Sequence, residues 1–310
     1  MEKDDKILLT GHTGLLGKAI AKSFDEKGFK NIIKVSSNDL DLMNQEKVND
    51  FFFKNRPKYV VHAAAKAGGI LANKSCPADF IFNNLVMQNN VFKSSLDIGV
   101  KKLLFISSTC AYPKNVSQPM KESDILSGPF TDEVEPYSLS KVCGMRMLEA
   151  FHDQYNFQSN SVMLPNLYGP GDHYGDLSNH VIPALIERFV LAKKNREKSV
   201  EVWGSGNAIR EFLYIDDAAG GIIFLLKNHN SVKPINLSSR ESISISDLAY
   251  LIKEIVNYSG EVVFNASRPE GAPVKISDTE LIDKLGWNPK INLRAGLKMS
   301  IDDYKRRFTK

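Results

Sequence analysis

A tyrosine and a lysine lie four residues apart near the middle of the chain, at Tyr137 and Lys141. Residues at this spacing share one face of a helix, and Pro136, directly before the tyrosine, suits the start of a helix. A nearby ammonium group favours the phenolate, so we expect Lys141 to lower the pKa of the Tyr137 phenol. The pair can then give a proton to a carbonyl oxygen that gains negative charge during reduction.

A hydroxyl group suited to the same chemistry lies about 30 residues before the tyrosine, at the end of a predicted strand. The strand is followed by Ser107, Ser108, Thr109 and Cys110. A serine at this place can hydrogen-bond the oxygen that receives the proton. A tyrosine and a lysine four residues apart are common by chance, so the interpretation depends on the serine as well as on the pair.

A glycine-rich segment, Gly11-His12-Thr13-Gly14-Leu15-Leu16-Gly17, lies between the first predicted strand and the first predicted helix. Glycines allow a tight turn and let a pyrophosphate approach the backbone N–H groups of a helix N-terminus. A glycine-rich turn without a ligand is the alternative, but strand, loop and helix follow one another in the required order. We therefore predict a dinucleotide site formed by Gly11, Thr13, Gly14, Leu15 and Gly17.

The second predicted strand ends at Val35 and is followed by Ser36 and Ser37. Many NAD-dependent enzymes place an acidic residue here to bind the ribose hydroxyls. Because no carboxylate at this point would repel a 2′-phosphate, we expect NADP(H) to be favoured over NAD(H), with Ser36 and Ser37 near the phosphate. The other residues expected at the cofactor are Asp41 and Leu42 beside the adenine, and the small side chains of Ala63, Ala64 and Ala65 at the end of the third strand.

Short apolar runs alternate with helical patterns over the first half of the chain. The predicted strands are 6–10, 31–35, 59–63, 102–106 and 158–163, and the predicted helices run from after Gly14 to near Gly28, and over 45–55, 79–99 and 138–155. This alternation indicates right-handed crossovers and a parallel sheet with helices on both faces. The sequence therefore predicts an α/β fold with a Rossmann-type doubly wound parallel sheet.

The alternation stops after Leu164, and a Gly169-Pro170-Gly171 turn cluster follows. We predict a smaller, interleaved C-terminal α/β lobe at the carboxyl edge of the sheet, where ligands bind in open α/β folds. The expected dinucleotide-binding domain covers 1–165 and roughly 211–240, and the expected substrate domain covers 166–210 and 241–310.

Composition narrows the class of protein further. The net charge of +4 arises from 40 basic and 36 acidic residues spread along 310 residues, whereas nucleic-acid-binding proteins usually concentrate basic charge on one face. No apolar run is long enough to span a bilayer, and the first residues lack the apolar stretch of a signal peptide. Cys76, Cys110 and Cys143 form no even or metal-like pattern. We expect a cytoplasmic protein with reduced thiols, no metal, and no nucleic-acid or membrane partner.

Taken together, the glycine loop, Ser108 and the Tyr137/Lys141 pair resemble the extended short-chain dehydrogenase/reductase family. Within that family the chain is similar to the GDP-L-fucose synthases, and the similarity extends nearly from end to end. The matching stretches are 63–70 with Ala72 and Asn73, 108–113, 165–172, 179–185, 202–206 with 210–213, 271–275 and 285–287.

This resemblance implies NADP(H)-dependent reduction of a GDP-linked 4-keto sugar, with epimerisation at C3 and C5, in the biosynthesis of nucleotide sugars for surface glycans. It implies a homodimer that associates through the helices at 79–99 and 138–155. The implied roles are Ser108, Tyr137 and Lys141 for reduction, Cys110 and His180 for epimerisation, Ser107, Pro165, Asn166, Leu167 and His180 as further cofactor contacts, and Ser108, Cys110, Asn166, Asn179, Arg188, Trp203, Arg210 and Lys275 for the substrate.

Two alternatives to this function remain open. One is a C4-reductase of a related GDP-4-keto sugar, either a deoxy sugar or a heptose, without epimerase activity. The other is a catalytically silent dinucleotide sensor, which would not need Ser108, Tyr137 and Lys141. Cys110 argues against a sugar-nucleotide 4,6-dehydratase, because those enzymes carry an acidic pair at this place. Fucose synthases usually carry a basic residue at the position of Thr13 and an arginine near that of Ser37, so we expect only a modest NADP(H) preference.

Overall fold

The computed structural model describes residues 1–175, 180–268 and 271–309. Its strands, in chain order, are β1 (Ile7–Thr10), β2 (Ile32–Val35), β3 (Tyr59–His62), β4 (Lys102–Ser108), β5 (Ser159–Leu164), β6 (Asn166–Tyr168), β7 (Ser199–Trp203), β8 (Ile209–Tyr214), β9 (Ile235–Asn236), β10 (Ser242–Ser244), β11 (Glu261–Asn265) and β12 (Val274–Lys275). Its helices are α1 (Leu15–Glu26), α2 (Gln45–Asn55), α3 (Ile70–Ser75), α4 (Pro77–Asp97), α5 (Glu135–Tyr155), α6 (Val181–Asn195), α7 (Ile215–Asn228), α8 (Ile245–Val256), α9 (Glu280–Lys284) and α10 (Leu293–Phe308).

A six-stranded sheet forms the centre of the larger lobe, in the order β2-β1-β3-β4-β5-β9, and every pairing within it is parallel. Strands β1 and β3 are buried along their whole length, as expected for apolar strands covered on both faces. The chain leaves β1 towards β2 on one side and returns to β3 on the other. This change of direction opens a crevice at the carboxyl ends of β1 and β3, which is where ligands bind in such sheets.

The predicted fold class is confirmed, and the element bounds differ from the predicted ones by only a few residues. Helix α2 covers Gln45–Asn55, as predicted. Helix α5 begins at Glu135, three residues before the predicted start, because the 3₁₀ turn Asp132–Val134 continues directly into it. Strand β4 continues to Ser108, two residues beyond the predicted end.

The smaller lobe is built around β8, which pairs in parallel with β6 and β12 and antiparallel with β10. Strands β7 and β11 form a separate parallel pair. Helices α6, α8 and α10 pack together through a buried apolar cluster that includes Ile186, Phe189, Leu248, Ile252 and Leu297. Since β8 pairs in this lobe and α7 packs against α1, the chain returns to the larger lobe at α7. The domain bounds stay a prediction. In the described part of the chain, no helix is both long and apolar enough to cross a membrane.

Helix α5, which carries Tyr137 and Lys141, lies unusually close to the sheet and to α4. A Cβ atom added to Gly144 would lie 2.8 Å from Cε1 of Phe105 on β4 and 3.0 Å from Oε1 of Gln88 on α4. The Gln88 amide Nε2 also donates a hydrogen bond to the Ser140 carbonyl oxygen at 2.9 Å. These contacts fix the position of the helix relative to the end of β4.

Replacing Gly144 by alanine should therefore destabilise the protein by about 1–3 kcal/mol, since extra methyl groups in a packed core cost about this much. The matched control is Gly220→Ala in α7, where nothing lies within 4 Å of the added Cβ. That substitution should stabilise the helix by up to about 1 kcal/mol. Urea unfolding of both variants measures the difference, and equal stabilities would contradict the close approach of α5.

Candidate active site

The glycine loop forms a backbone cradle at the carboxyl end of β1. Gly11 has a φ angle of +72°, and a Cβ atom there would lie 2.6 Å from the Ala64 amide nitrogen. A Cβ atom on Gly17 would lie 2.0 Å from the Gly11 carbonyl oxygen. Gly14 caps α1 without a side-chain hydrogen bond, and the first turn of α1 contains no acidic residue. This cradle leaves helix N–H groups free of side-chain caps, and it fits the pyrophosphate of a dinucleotide.

A hydrogen-bonded turn follows β2 at the neighbouring edge of the crevice. The Asp39 atom Oδ2 accepts hydrogen bonds from the Ser36 amide at 2.8 Å and from the Ser36 hydroxyl at 2.6 Å. As expected, the residues directly after β2 contain no carboxylate, but the chain then turns back and brings Asp39 onto Ser36. Ser37 and Asp41 are exposed, whereas Leu42 is buried.

The segment after β3 is held by two buried asparagines. The Asn84 side chain accepts from the Lys66 amide at 2.8 Å and donates to the Lys66 carbonyl oxygen at 2.9 Å. Asn73 donates to the carbonyl oxygens of Gly68 and Gly69, each at 3.0 Å. The two asparagines thus fix the backbone between Ala63 and α3, which forms one wall of the crevice.

Tyr137 and Lys141 lie on the first turns of α5, facing the end of β4. The Lys141 ammonium donates to the Ile106 carbonyl oxygen at 3.0 Å and lies 5.6 Å from the centre of the Tyr137 ring. Burial lowers the pKa of Lys141 to about 7. Burial, and to a smaller degree the nearby Cys110 thiol, raises the pKa of Tyr137. The expected lowering of the Tyr137 pKa is therefore wrong for the protein alone, because burial outweighs the partly neutralised lysine.

Ser108 and Cys110 lie on a tight turn directly after β4. The Ser108 hydroxyl accepts a hydrogen bond from the Cys110 amide at 3.2 Å, and the Ser138 hydroxyl on α5 donates to the Cys110 carbonyl oxygen at 2.7 Å. Ser138 thereby ties the turn to the helix that carries Tyr137. The Ser107 hydroxyl is buried and has no hydrogen-bond partner among the described residues.

A cavity of about 150 Å³ opens beside this turn, between the two lobes. Seven of the predicted site residues line it: Ser108, Cys110, Pro165, Asn166, His180, Arg210 and Lys275. Sequence reasoning missed the other lining residues, which are Gly68, Gly69, Ile70, Thr109, Met120, Thr131, Val134, Glu211, Gly271, Ala272 and Ser277. Most of these are small, apolar or hydroxyl side chains without a motif of their own, although 68–70 and 271–272 belong to stretches that carried the family resemblance.

His180 precedes α6 and contributes an imidazole to this cavity. The residue is partly accessible to solvent, yet desolvation by the groups around the imidazole lowers its pKa. A lowered pKa favours the neutral imidazole, which can accept a proton. The neighbouring Asn179 lies outside the described residues.

Arg188 and Trp203 lie together but do not line the cavity. The Arg188 guanidinium is 4.9 Å from the Trp203 ring centre and donates to the Glu201 carbonyl oxygen at 3.0 Å. A second guanidinium, that of Arg268, lies 5.2 Å from the same ring. Sequence reasoning missed Arg268. The signal that could have pointed to it is the nearby stretch beginning at Gly271, which carried part of the family resemblance. In 1–175, 180–268 and 271–309, no three His, Cys, Asp or Glu side chains are grouped as a metal site.

Burial of the Lys141 ammonium predicts how the stability of the protein depends on pH. Its pKa is about 7 in the folded protein against 10.5 for an ordinary lysine. Between these values the unfolded chain binds more protons than the folded protein, so the contribution of Lys141 to the free energy of unfolding rises with pH. The Lys141→Met variant lacks this contribution, so its stability relative to wild type should be higher at pH 6 than at pH 9, by about 2–3 kcal/mol.

Urea unfolding at the two pH values measures this difference, with the exposed Lys298→Met as a control for the loss of a positive charge. The same difference between Lys141→Met and wild type at both pH values would contradict a pKa lowered by burial.

Comparison with known proteins agrees with the geometry. Residues 7–238 match the model of the NAD dependent epimerase/dehydratase family. The chain is 42% identical to GDP-L-fucose synthase 1 of Arabidopsis thaliana, over 98% of this chain and 94% of that protein.

Two solved structures from Campylobacter jejuni extend the likeness. A GDP-6-OMe-4-keto-L-xylo-heptose reductase superposes with a TM-score of 0.94 at 33% identity, covering 99% of both chains. A GDP-mannoheptose C4 reductase with NADP bound superposes with a TM-score of 0.91 at 35% identity, covering 98% of this chain and 99% of that one. The resemblance to the GDP-L-fucose synthases is thus confirmed, and the chain belongs to the NAD dependent epimerase/dehydratase family.

Proposed function

We propose that this protein is an NADP(H)-dependent reductase of a GDP-linked 4-keto sugar that also epimerises C3 and C5, in nucleotide-sugar biosynthesis for surface glycans. One observation carries the proposal. A single cavity is lined by Ser108, Cys110, His180 and two cationic side chains, Arg210 and Lys275. Tyr137 and Lys141 do not line the cavity but lie next to it on α5, where the Ser138 hydroxyl bonds to the Cys110 carbonyl oxygen, at the same sheet edge as the glycine loop.

The cofactor assignment rests on the cradle and on a structural relative. Gly11, Gly14 and Gly17 fit the pyrophosphate of a dinucleotide, with Leu15 at the first position of α1. The GDP-mannoheptose C4 reductase, which shares the fold over 98% of this chain, has NADP bound. When bound, the dinucleotide supplies the hydride for reduction.

Reduction requires that the protein give a proton to the substrate's C4 oxygen. The Tyr137 phenol has a raised pKa and therefore holds its proton until an oxygen of higher basicity develops beside it. The Ser108 hydroxyl lies at the cavity wall and can donate a hydrogen bond to the same oxygen. Lys141 lies against the Tyr137 ring and stabilises the phenolate left after proton transfer.

The proposed binding of the substrate rests on two positively charged side chains of the cavity. Arg210 and Lys275 are neighbours in register on β8 and β12, and both line the cavity. A guanidinium fork and an ammonium group match a diphosphate. Arg188 and Arg268, on the Trp203 ring, add positive charge and an aromatic surface suited to a nucleotide. The GDP moiety is inferred from the names of the relatives.

Epimerisation is supported by two titratable groups from separate segments of the chain. Cys110 comes from the turn after β4 and His180 from the start of α6, and both line the same cavity. Inverting a carbon centre requires removing a proton on one face and returning it on the other. A thiol and an imidazole can do this near neutral pH, while Ser108 and Tyr137 stabilise the enolate by hydrogen bonds.

The second candidate is a C4-reductase of a GDP-4-keto heptose without epimerase activity. The heptose reductase with a TM-score of 0.94 favours it, since that protein superposes on almost the whole chain. The presence of both Cys110 and His180 at the cavity favours the epimerase/reductase. The two functions differ in whether protons at C3 and C5 exchange with solvent.

We further propose that the protein is cytoplasmic and forms a homodimer. In this proposal, two copies associate through α4 and α5. These are long neighbouring helices of 21 residues each. They carry two exposed aromatic side chains, Phe82 on α4 and Tyr155 on α5, which are 61% and 54% exposed. Large exposed aromatic groups are frequent at protein interfaces.

Replacing Tyr137 by phenylalanine should abolish reduction and leave dinucleotide binding nearly intact, because the phenol gives the proton and the glycine loop binds the dinucleotide. General acid catalysis is worth about a hundred- to ten-thousand-fold. Single-turnover rates with a GDP-4-keto sugar measure the loss, and Tyr250→Phe on the exposed face of α8 serves as the control. A variant that keeps more than about a tenth of the wild-type rate would show that Tyr137 is not the proton donor.

Incubation with a GDP-4-keto-6-deoxy sugar in deuterated water, with oxidised or no cofactor, should place deuterium at C3 and C5. Incorporation should fall sharply in Cys110→Ser and His180→Asn, because each removes a group that exchanges the proton. Cys143→Ser, an exposed free thiol on α5, is the matched control and should exchange normally.

Mass spectrometry and NMR of the recovered sugar measure the exchange. If wild type incorporates no deuterium yet reduces a pre-epimerised substrate, the second candidate function is correct instead.

A further inference from the structure

One carboxylate oxygen occupies both hydrogen-bond donors at the end of β2. Oδ2 of Asp39 accepts from the Ser36 amide at 2.8 Å and from the Ser36 hydroxyl at 2.6 Å. The Ser36 hydroxyl oxygen in turn accepts from the Asn38 amide at 3.3 Å. The turn is exposed, so its atoms are accessible to a ligand. Ser36 thus holds an anion in the protein's own structure, and that anion is Asp39.

This turn borders the dinucleotide cradle directly. Thr10 pairs with Val35 in the parallel register of β1 and β2, so Gly11 and Ser36 are neighbours at the sheet edge. Hydrogen bonds from Ser36 lower the pKa of Asp39 most, and the charge of His12, from the glycine loop, lowers it further. Asp39 is therefore ionised at neutral pH and lies near the loop that contains His12.

The group that binds at this edge differs between the two nicotinamide cofactors. The ribose 2′ position lies at the end of the second strand in dinucleotide-binding sheets. A 2′-hydroxyl can donate to a carboxylate, whereas a 2′-phosphate needs donors and is repelled by a carboxylate. Ser36 and Ser37 contribute donors here but no positive charge, and Lys34 is paired with Asp25 at 3.0 Å.

We propose that Asp39 sets the cofactor selectivity of this protein, by competing with the 2′-phosphate for the amide and hydroxyl of Ser36. The proposal rests on the NADP(H) use proposed above and adds the residue that limits it. For the phosphate to reach Ser36, the carboxylate must leave. Asp39 can accept from a 2′-hydroxyl, so the same residue supports binding of the unphosphorylated ribose. Competition by Asp39 is thus a specific cause of the modest NADP(H) preference that the missing arginine led us to expect.

Calorimetric titration with 2′-phospho-ADP-ribose and ADP-ribose tests the proposal without any sugar substrate or turnover. Asp39→Asn should bind 2′-phospho-ADP-ribose about five- to tenfold more tightly than wild type, while its affinity for ADP-ribose stays equal or falls. Ser36→Ala should lose affinity for the phosphorylated ligand and change little towards ADP-ribose. Asp50→Asn removes an exposed carboxylate on α2, outside the turn and the expected cofactor contacts, and is the control for net charge.

Two results would overturn the proposal. One is an unchanged ratio of the two affinities in Asp39→Asn. The other is an equal gain in Asp50→Asn, which would mean that net charge and not the Ser36 contact matters. Binding of ADP-ribose by every variant verifies that the cradle is intact. Because neither ligand contains the sugar substrate, a wrong substrate assignment would leave this result unaffected.

Discussion

The structure depends on the close approach of two backbone segments at the carboxyl edge of the sheet, where Gly11 after β1 meets Ala64 after β3. A side chain at position 11 would overlap the Ala64 backbone, with a Cβ-to-nitrogen distance of 2.6 Å. This contact keeps the start of α1 and the segment after β3 on either side of one crevice. The turn after β4 lies at the same edge because the strands are parallel. One constraint therefore gathers the cofactor cradle and the reacting groups.

Burial decides the electrostatics of the reacting pair. Lys141 is almost fully buried, and this burial disfavours its charged form although the ammonium donates a hydrogen bond to the Ile106 carbonyl oxygen. The phenol of Tyr137 is likewise held neutral in the protein alone. Tyr137 is thus a neutral proton donor that gives up its proton when negative charge develops on the oxygen beside it, as happens in carbonyl reduction, and the Lys141 ammonium stabilises the phenolate that is left.

The sequence predicted the features that are encoded by a motif or by the periodicity of apolar residues. The glycine loop, the four-residue spacing of Tyr137 and Lys141, and the strand end at Ser108 were sufficient for the fold and for much of the candidate site. Three features could not be predicted from the sequence, because they depend on how separate segments of the chain pack in three dimensions. These are the contact of Asp39 with Ser36, the second guanidinium on Trp203, which belongs to Arg268, and the pKa of Tyr137. Small lining residues such as Gly68 carry no chemical signal until the lobes are assembled.

The central claim is that this cleft reduces the C4 carbonyl of a GDP-linked sugar. It is tested most directly by incubating the wild-type protein with NADPH and GDP-4-keto-6-deoxymannose, and identifying the nucleotide sugar formed by NMR. The account predicts oxidation of one NADPH for each C4 carbonyl lost, and a product with C3 and C5 inverted. Binding of NADPH with no loss of the carbonyl, across this sugar and a 4-keto heptose analogue, would contradict it.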